Sequence, residues 1–591
     1  MKRKPKLKKG GQWLLSPVAH DTILCRETFT DEHRQIEKMV FDFAEDNILP
    51  VVKDIEELNE ELSRSILRKM GGLGLIGVDT PEEYGGTNLD KITACLITEG
   101  VSWGGSASFG CTFGVQTGIG SLGIVFFGTE DQKKKYLPKL MSGEWIAAYG
   151  LTEPSSGSDA LSAETTAFLS EDKRYYILNG EKQFVSNGGW ADIYTILAQV
   201  EGSKFSGFIV DRNTEGLSIG NEEKKLGMKG SSTTSLKFKD AKVPIENLLY
   251  EVGRGATIAF NALNIGRYKL GSASVGGSKQ AIKQTIRYSL DRRQFGQPIA
   301  KFDSILGKIA DMTIRIYVAD TMLYRTVGMI QDAIDTLDKN DPKYYVRMGE
   351  AMERFAIEAS MAKVYGSETS SMIVDNCLQI FGGYGFIEEY PIAMAYRDDR
   401  INRIWEGTNE INRSIITGYL MKNVLMEEIS LRDIISPKDL IHSIVVNDKE
   451  PLPEYILGIE AAKIMVVLIF HEALCQFGQD LKHEQQLSET LSNMFTLLYT
   501  MESVICRAKQ ISPSTKSNFM ADIARVHVAE SLLDLSKFTF KCLNRIFTSN
   551  IPSEILTSVS VLQGKMQLNT DTIGLKKELA EYVLAKKKYP F

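Results

Sequence analysis

The sequence predicts a mainly helical, multidomain protein with a central β domain and a helical C-terminal extension. Three observations carry this expectation. Apolar positions recur at three- and four-residue intervals from about residue 29 to 141, as in Ile36, Met39, Val40 and Phe43. That period breaks after Gly150 into short strand-like runs and returns near Ala256. A length of 591 residues also exceeds what one hydrophobic core usually organises, so several domains of roughly 100–200 residues are expected.

Residues 1–28 form a basic arm carrying Lys2, Arg3, Lys4, Lys6, Lys8 and Lys9, with no apolar stretch after it to act as a secretory signal. Residues 29–147 read as a helical domain punctuated by Thr80-Pro81 and Tyr84-Gly85-Gly86. In the middle β domain, 148–253, the runs 175–178 and 181–185 flank Asn179-Gly180 and have the form of a hairpin. Further strands are expected around 193–200, 207–210 and 235–238. A helical bundle, 254–426, is interrupted by Gly382-Gly383-Tyr384-Gly385, and a polar stretch at 436–453 leads through the extension, 427–591.

Composition narrows the function classes. With 24% charged residues and a net charge of −6, nothing points to a nucleic-acid partner. The longest apolar run, 464–470, is far short of the roughly 20 residues a membrane span needs. Seven cysteines without paired spacing and six dispersed histidines suggest neither a disulfide framework nor a metal centre.

Five segments carry chemistry. Residues 149–160 crowd hydroxyls and backbone amides into a loop able to aim donors at a carbonyl or an anion, although composition alone would fit a linker. Phe184-Val185-Ser186-Asn187-Gly188-Gly189 would by itself be a turn. In 396–411, Glu406 sits between Trp405 and Gly407. An apolar neighbour raises a carboxylate toward the range of a general base, and glycine admits a substrate close to the backbone. A surface glutamate near a helix capped by Thr408 or Asn409 is the plainer alternative. The arginine pair in 291–296 and the Gly-Gly turn in 379–383 would, alone, be a solvated face and a turn.

Taken in order, these segments resemble the acyl-CoA dehydrogenase family over about residues 29–425. The first matches its Leu-Thr-Glu-Pro-x-x-Gly-Ser-Asp signature and the third its Tyr-Arg-Asp…Glu-Gly-Thr. The extension makes the chain most similar to the very-long-chain type. The resemblance implies a fold of α-helical domain, β-barrel domain and four-helix bundle, with FAD as cofactor. It implies FAD contacts at Tyr149, Leu151, Thr152 and Ser158, with Ser186 at flavin N5 beside Phe184, where many members have Trp. Thr408 and Glu410 are further contacts. Arg292, Gln294 and Phe295 would hold the pyrophosphate from a neighbouring subunit, and Gln379 and Gly383 would meet the same cofactor. Asp303 stands where the family commonly has Gln, so no adenine contact is assigned to it. No strand leads into Gly-x-Gly-x-x-Gly, so no Rossmann domain is expected.

By the same resemblance Glu406 is the catalytic base; Gly266, before Arg267, stands where some members carry theirs. Ser158, Asn264, Arg267 and Gly407 match substrate contacts. The implied reaction is α,β-dehydrogenation of a long-chain fatty acyl-CoA to the trans-2-enoyl-CoA. The thioester oxygen is held by the Glu406 N–H and the FAD 2′-hydroxyl, and electrons pass to an electron-transferring flavoprotein. A homodimer is implied. A flavin oxidase of the same fold and a respiratory-complex assembly role are the rival readings.

Two finer expectations follow. Gly120 and Gly123 in a helical segment 116–123 would leave a strip free of side chains, deepening the acyl pocket for chains of about 14 to 20 carbons by analogy. Leu431, Ile434, Ile435, Leu440, Ile441, Ile444 and Val445 have amphipathic spacing broken by Pro437, which from the residues favours packing on the extension's own core, with peripheral membrane contact through 431–446 as the alternative that very-long-chain relatives suggest. The basic start lacks the character of a transit peptide, so bacterial cytoplasm is expected, at most peripheral to the inner membrane; a eukaryotic host would imply the mitochondrion.

Overall fold

In the computed structural model, which describes residues 9–18, 22–431, 444, 446, 450–511, 513–548 and 550–591, helix starts are written by polar caps. Thr30, Asn59 and Asp90 accept the backbone N–H of His33, Leu62 and Thr93 and so begin α1 (Asp31–Asn47), α3 (Glu60–Gly72) and α4 (Lys91–Trp103). The intervening α2 is Val52–Glu56, and α5 (Ala107–Gln116), α6 (Leu122–Phe127) and α7 (Glu130–Met141) complete this block. Val40, Phe43 and Ala44 of α1 are buried, as their spacing requires.

Eight of the described strands then form one sheet: β1 (Ala147–Gly150), β2 (Thr166–Leu169), β3 (Tyr175–Ser186), β4 (Ile193–Val200), β5 (Lys204–Asp211), β6 (Leu217–Ile219), β7 (Thr233–Pro244) and β8 (Leu248–Leu249). Their order is β6-β7-β3-β2-β4-β5-β8, with β1 beside β4 in parallel, so the hydrogen-bonded path has two ends and the barrel is an open one. The hairpin expected at Asn179-Gly180 is not a turn. Those residues lie inside the continuous β3, where Gly180 has φ 147° and the pairing with β7 shifts register between Leu178 and Gly180. A Cβ on Gly180 would come within 2.5 Å of Thr165 Oγ1 and 2.8 Å of its Cα. Asn-Gly here makes a bulge because a neighbouring segment crowds it. The chain turns earlier, where the Ser170 N–H donates to the Tyr175 carbonyl and β2 pairs with β3.

The second helical block is α8 (Gly255–Asp291), α9 (Asp303–Ile334), α10 (Tyr344–Glu353), α11 (Ala356–Phe381), α12 (Pro391–Asp399) and α13 (Asn409–Leu425). The short pair β9 (Arg293–Gln294) and β10 (Gln297–Pro298) joins α8 to α9. The extension contributes α14 (Pro453–Phe477), α15 (Gln485–Gln510), α16 (Thr515–Phe547), α17 (Ser553–Lys565) and α18 (Thr572–Lys586).

The described part of the N-terminal arm is packed between the bundle and the extension. Trp13, Leu14, Val18 and Ile23 are buried. The Trp13 indole donates to Glu358 of α11 at 3.0 Å, and Lys463 of α14 donates to the carbonyls of Trp13 and Ser16 at 3.0 and 2.8 Å. Next along the arm, Arg26 and Glu27 enter a buried ionic cluster with Glu99 of α4, Lys279 of α8, Asp320 of α9 and Arg507 of α15.

No helix among the described residues is long and apolar enough to cross a membrane. Most of the amphipathic stretch 431–446 lies outside the described residues. Leu431 and Ile444, which lie within them, both pack against the main hydrophobic core.

Candidate active site

Between α12 and α13 the chain makes one turn of 3-10 helix, Arg400–Arg403, and then reverses through two consecutive left-handed residues, Glu406 (φ 55°) and Gly407 (φ 79°). Glycine adopts this conformation without strain, whereas a glutamate held there costs of order 1–3 kcal/mol and signals a constraint from its surroundings. Those surroundings are explicit. Thr408 caps α13 by accepting the Ile411 N–H at 3.2 Å. The Asn412 amide donates to the carbonyls of Gly407 and Thr408 at 2.7 and 3.0 Å, and Lys363 of α11 donates to the Gly407 carbonyl at 2.8 Å.

The Glu406 carboxylate points at Gly266 of α8. A Cβ on Gly266 would collide with Glu406 Oε2 and lie 2.7 Å from its Cδ, so only glycine leaves the base its place. Burial pushes the Glu406 carboxyl up to about 7, against the opposing pull of Arg267 and Lys363. Beside it, Arg267 donates to Asn264 at 2.6 Å, and both are buried. Burial also lowers the Arg267 guanidinium, with Glu406 opposing the shift.

Around this carboxylate several buried polar atoms lack a hydrogen-bond partner: Glu406 Oε2, Arg267 Nε, Trp405 Nε1 and the Tyr149 hydroxyl on β1. Each such atom costs about 1–3 kcal/mol, a cost a bound polar molecule would remove. Ser186 ends β3 beside Cys111 of α5. Asn187 (φ 61°) fixes that strand end by donating to the carbonyls of Thr112 and Ala147 at 3.2 and 3.1 Å, so Ser-Asn-Gly-Gly is an anchored platform and not a hairpin turn. Phe184 (φ 56°) is 58% exposed, an apolar face awaiting cover. These donors and this ring fit an isoalloxazine. In the preceding loop, Leu151 and Thr152 are half-buried and Ser158 is exposed.

The other candidates fall into two separate places. Arg292, Gln294 and Gly383 line a groove of about 530 Å³ floored by Tyr288 and Phe381, whose rings stack at 4.1 Å. Gln379 is exposed on α11 nearby in sequence, and Phe295 (φ 50°) is 93% exposed. Thr408 and Glu410 line a polar cavity of about 300 Å³ with Arg400, Arg403 and Arg413, which is walled on one side by Glu489 of the extension.

Gly120 and Gly123 do not form a strip on one helix. α5 ends at Gln116 and α6 begins at Leu122, so Gly120 lies in the turn between them. A Cβ there would sit 2.9 Å from both Ala147 Cβ and the Val115 carbonyl oxygen, and one on Gly123 would sit 3.3 Å from Leu249 Cδ2. Both glycines let the helical block approach the sheet. Gly120→Glu is therefore expected to destabilise the fold and not to shorten the preferred chain. Even Gly120→Ala should cost about 1–3 kcal/mol through overpacking and lower the Tm. An unchanged Tm with an altered chain-length profile would restore the pocket reading.

Sequence reasoning missed the residues behind the turn. Asn412 sits four positions after its cap, and Lys363 is a fully buried cation in the apolar run Met361-Ala362-Lys363-Val364. It also missed that Glu153 of the signature loop is an anchor. Buried with Lys182, Glu153 accepts that ammonium at 2.5 Å and the N–H groups of Glu164 and Thr165 at 2.5 and 3.1 Å.

Models of the acyl-CoA dehydrogenase N-terminal, middle and C-terminal domains match residues 30–144, 148–241 and 253–421, and a further acyl-CoA dehydrogenase C-terminal domain matches 461–550. A Bacillus subtilis protein named a probable acyl-CoA dehydrogenase is 45% identical over 519 residues, 86% of each chain. The human very long-chain specific acyl-CoA dehydrogenase, mitochondrial, is 38% identical over 416 residues, 69% of this chain and 60% of that one. Among solved structures, the acyl-CoA dehydrogenase complexed with FAD from Bacillus anthracis superposes with a TM-score of 0.94 at 39% identity, covering 99% of this chain and 100% of that one.

Proposed function

The chain belongs to the acyl-CoA dehydrogenase family, an FAD-dependent oxidoreductase family acting on CH–CH groups, and from that premise we propose that it dehydrogenates long-chain acyl-CoA with Glu406 as the base. The observation that carries the assignment is the buried Glu406 carboxylate, set near neutral pH and given its room by Gly266. An α-proton next to a thioester is too weakly acidic for a carboxylate unaided. The Glu406 N–H holds the thioester oxygen and stabilises the charge that develops there. Glu406 then takes the α-proton, and a carboxyl close to the working pH is suited to that transfer. Arg267 and Asn264 orient the thioester side of the chamber.

Tyr149, Leu151, Thr152, Phe184 and Ser186 hold the flavin end of FAD. Bound FAD supplies the two-electron oxidant that takes up the β-hydrogen as hydride. The groove of Arg292, Gln294 and Gly383 serves a second copy of the chain, which makes the enzyme a homodimer. Phe295, Phe386 and Tyr384, all exposed at this end of the molecule, support that arrangement. Long-chain preference is supported by the likeness to very long-chain specific relatives. An electron-transferring flavoprotein is the proposed acceptor.

One experiment tests the reading. Purified holoenzyme mixed anaerobically with palmitoyl-CoA should lose its oxidised flavin absorbance and yield the trans-2-enoyl-CoA. An electron-transferring flavoprotein should restore the absorbance quickly and oxygen slowly. Rapid reoxidation by oxygen would make the protein an oxidase, and no bleaching with palmitoyl-CoA alongside bleaching with octanoyl-CoA would overturn the long-chain assignment.

A further inference from the structure

We propose that Lys363 is a positioning residue for the base: from behind the active-site turn its ammonium fixes Gly407 and Asn409 and, alongside Arg267, adds positive charge on the side of the Glu406 carboxylate. The proposal rests on the assignment of Glu406 as base. Lys363 lies on α11 and is 0% exposed. It donates at 2.8 Å to the Gly407 carbonyl and at 2.8 Å to Asn409 Oδ1. Both acceptors are neutral. A buried lysine is expensive unless a counter-charge faces it, and a neutral donor would have served two neutral oxygens at lower cost.

Among the described residues no carboxylate pairs directly with Lys363, and the attraction reaches it through space from Glu406. The groups facing Lys363 are Glu406, Arg267, Glu410 and Glu368, with Glu406 the strongest attraction. From the other side, the groups facing Glu406 are Arg267 of α8 and Lys363 of α11, together with Tyr149 of β1 and Cys111 of α5. Burial lowers Lys363 to about 8, and its charge in turn offsets part of the burial that raises Glu406 to about 7.

The turn is thereby braced against the body of the protein. Asn409 also donates to Ser367 at 3.1 Å and to Glu368 at 3.2 Å. Glu368 accepts from Arg413 at 2.6 Å, and Arg413 reaches Asn493 of the extension at 2.7 Å. Lys363 is the member of this chain that touches the turn itself.

Two variants separate position from charge. Lys363→Met removes both, while Lys363→Gln keeps an uncharged donor one bond shorter. Removing the cation leaves the ionised base less favoured, so the Glu406 pKa rises and the acid limb of kcat should move up by about one pH unit in both variants. At about pH 9, where the base is ionised and Lys363, lowered to about 8, acts mainly as a neutral donor, Lys363→Met should still lose at least about tenfold in kcat with little change in KM, and Lys363→Gln should recover most of that loss. Infrared difference spectra, each protein against its own Glu406→Gln version, read protonation of the carboxyl directly and need no turnover. The midpoint should rise with the kinetic limb. An acid limb and infrared midpoint both unchanged in folded Lys363→Gln would overturn the proposal, and that variant decides alone if Lys363→Met does not accumulate. A wild type that fails to bleach with any acyl-CoA would instead refute the functional reading.

Discussion

Glu406→Gln is expected to fold and bind FAD, yet to dehydrogenate palmitoyl-CoA at least about 10³-fold more slowly than wild type. The amide keeps the volume that Gly266 leaves open and removes only the group able to accept a proton. Because Oε2 has no hydrogen-bond partner, no anchoring contact of that oxygen is lost with it. Stability should respond in the opposite sense to activity. The folded protein raises this carboxyl from 4.5 to about 7, so it favours the neutral form; below about 4.5 this costs nothing, and the penalty grows as pH climbs toward 7 and is complete above it. The neutral variant should therefore melt no lower than wild type at pH 8. In wild type, kcat should rise with pH through a midpoint near 7, and the variant's residual rate should lack that limb. Turnover within tenfold of wild type would move the base elsewhere.

What the sequence disclosed about this site and what it hid have different physical origins. Glu406, Ser186, Arg292 and Gly383 stand in contiguous motifs, where the local order of residues carries the signal. The structure gathers Glu406, Arg267 and Asn264 around one chamber and leaves Arg292 and Gly383 in a separate groove, which no motif could state. Lys363 is 43 positions from Glu406 and is joined to the turn only because α11 runs behind α13; in the sequence it is one lysine in a helix. The Asn179-Gly180 pair misled because turn chemistry is local, whereas the approach of Thr165 and the pairing with β7 are not. Gly120 and Gly123 misled for a related reason. Three-residue spacing defines a face only inside one helix, and the chain leaves the helix at Gln116. The burial of Trp13 between α11 and α14 was equally beyond reach, since its partners Glu358 and Lys463 lie more than 340 residues away.

Asp320→Ala should be the most destabilising single change, at about 3–5 kcal/mol. Asp320 of α9 accepts from Arg26 at 2.6 Å, Lys279 at 3.2 Å and Arg507 at 3.1 Å, and it is buried with them. Those three cations come from the arm, the bundle and the extension, so one carboxylate joins three parts of the chain. Glu99 still faces Arg26 and Lys279, and Glu27 still faces Arg507, after the change. Yet the variant leaves three cations sharing one anion fewer. The attraction of Arg26, Lys279 and Arg507 holds the Asp320 carboxyl well below the usual carboxylate range, and Glu99 and Glu27 are lowered as well. For such groups the stabilisation is complete above the unfolded pKa and fades as pH falls toward the folded one. The gap in Tm between wild type and Asp320→Ala should accordingly be full from pH 7 down to about pH 4 and narrow progressively below that, as the unfolded chain takes up a proton that the folded wild type still resists. Thermal melting across that range measures it, and hydrogen exchange should show the arm and α15 opening first in the variant. A gap of less than about 1 kcal/mol at pH 7 would mean that the cluster relaxes around the missing carboxylate and that apolar packing alone holds the extension in place.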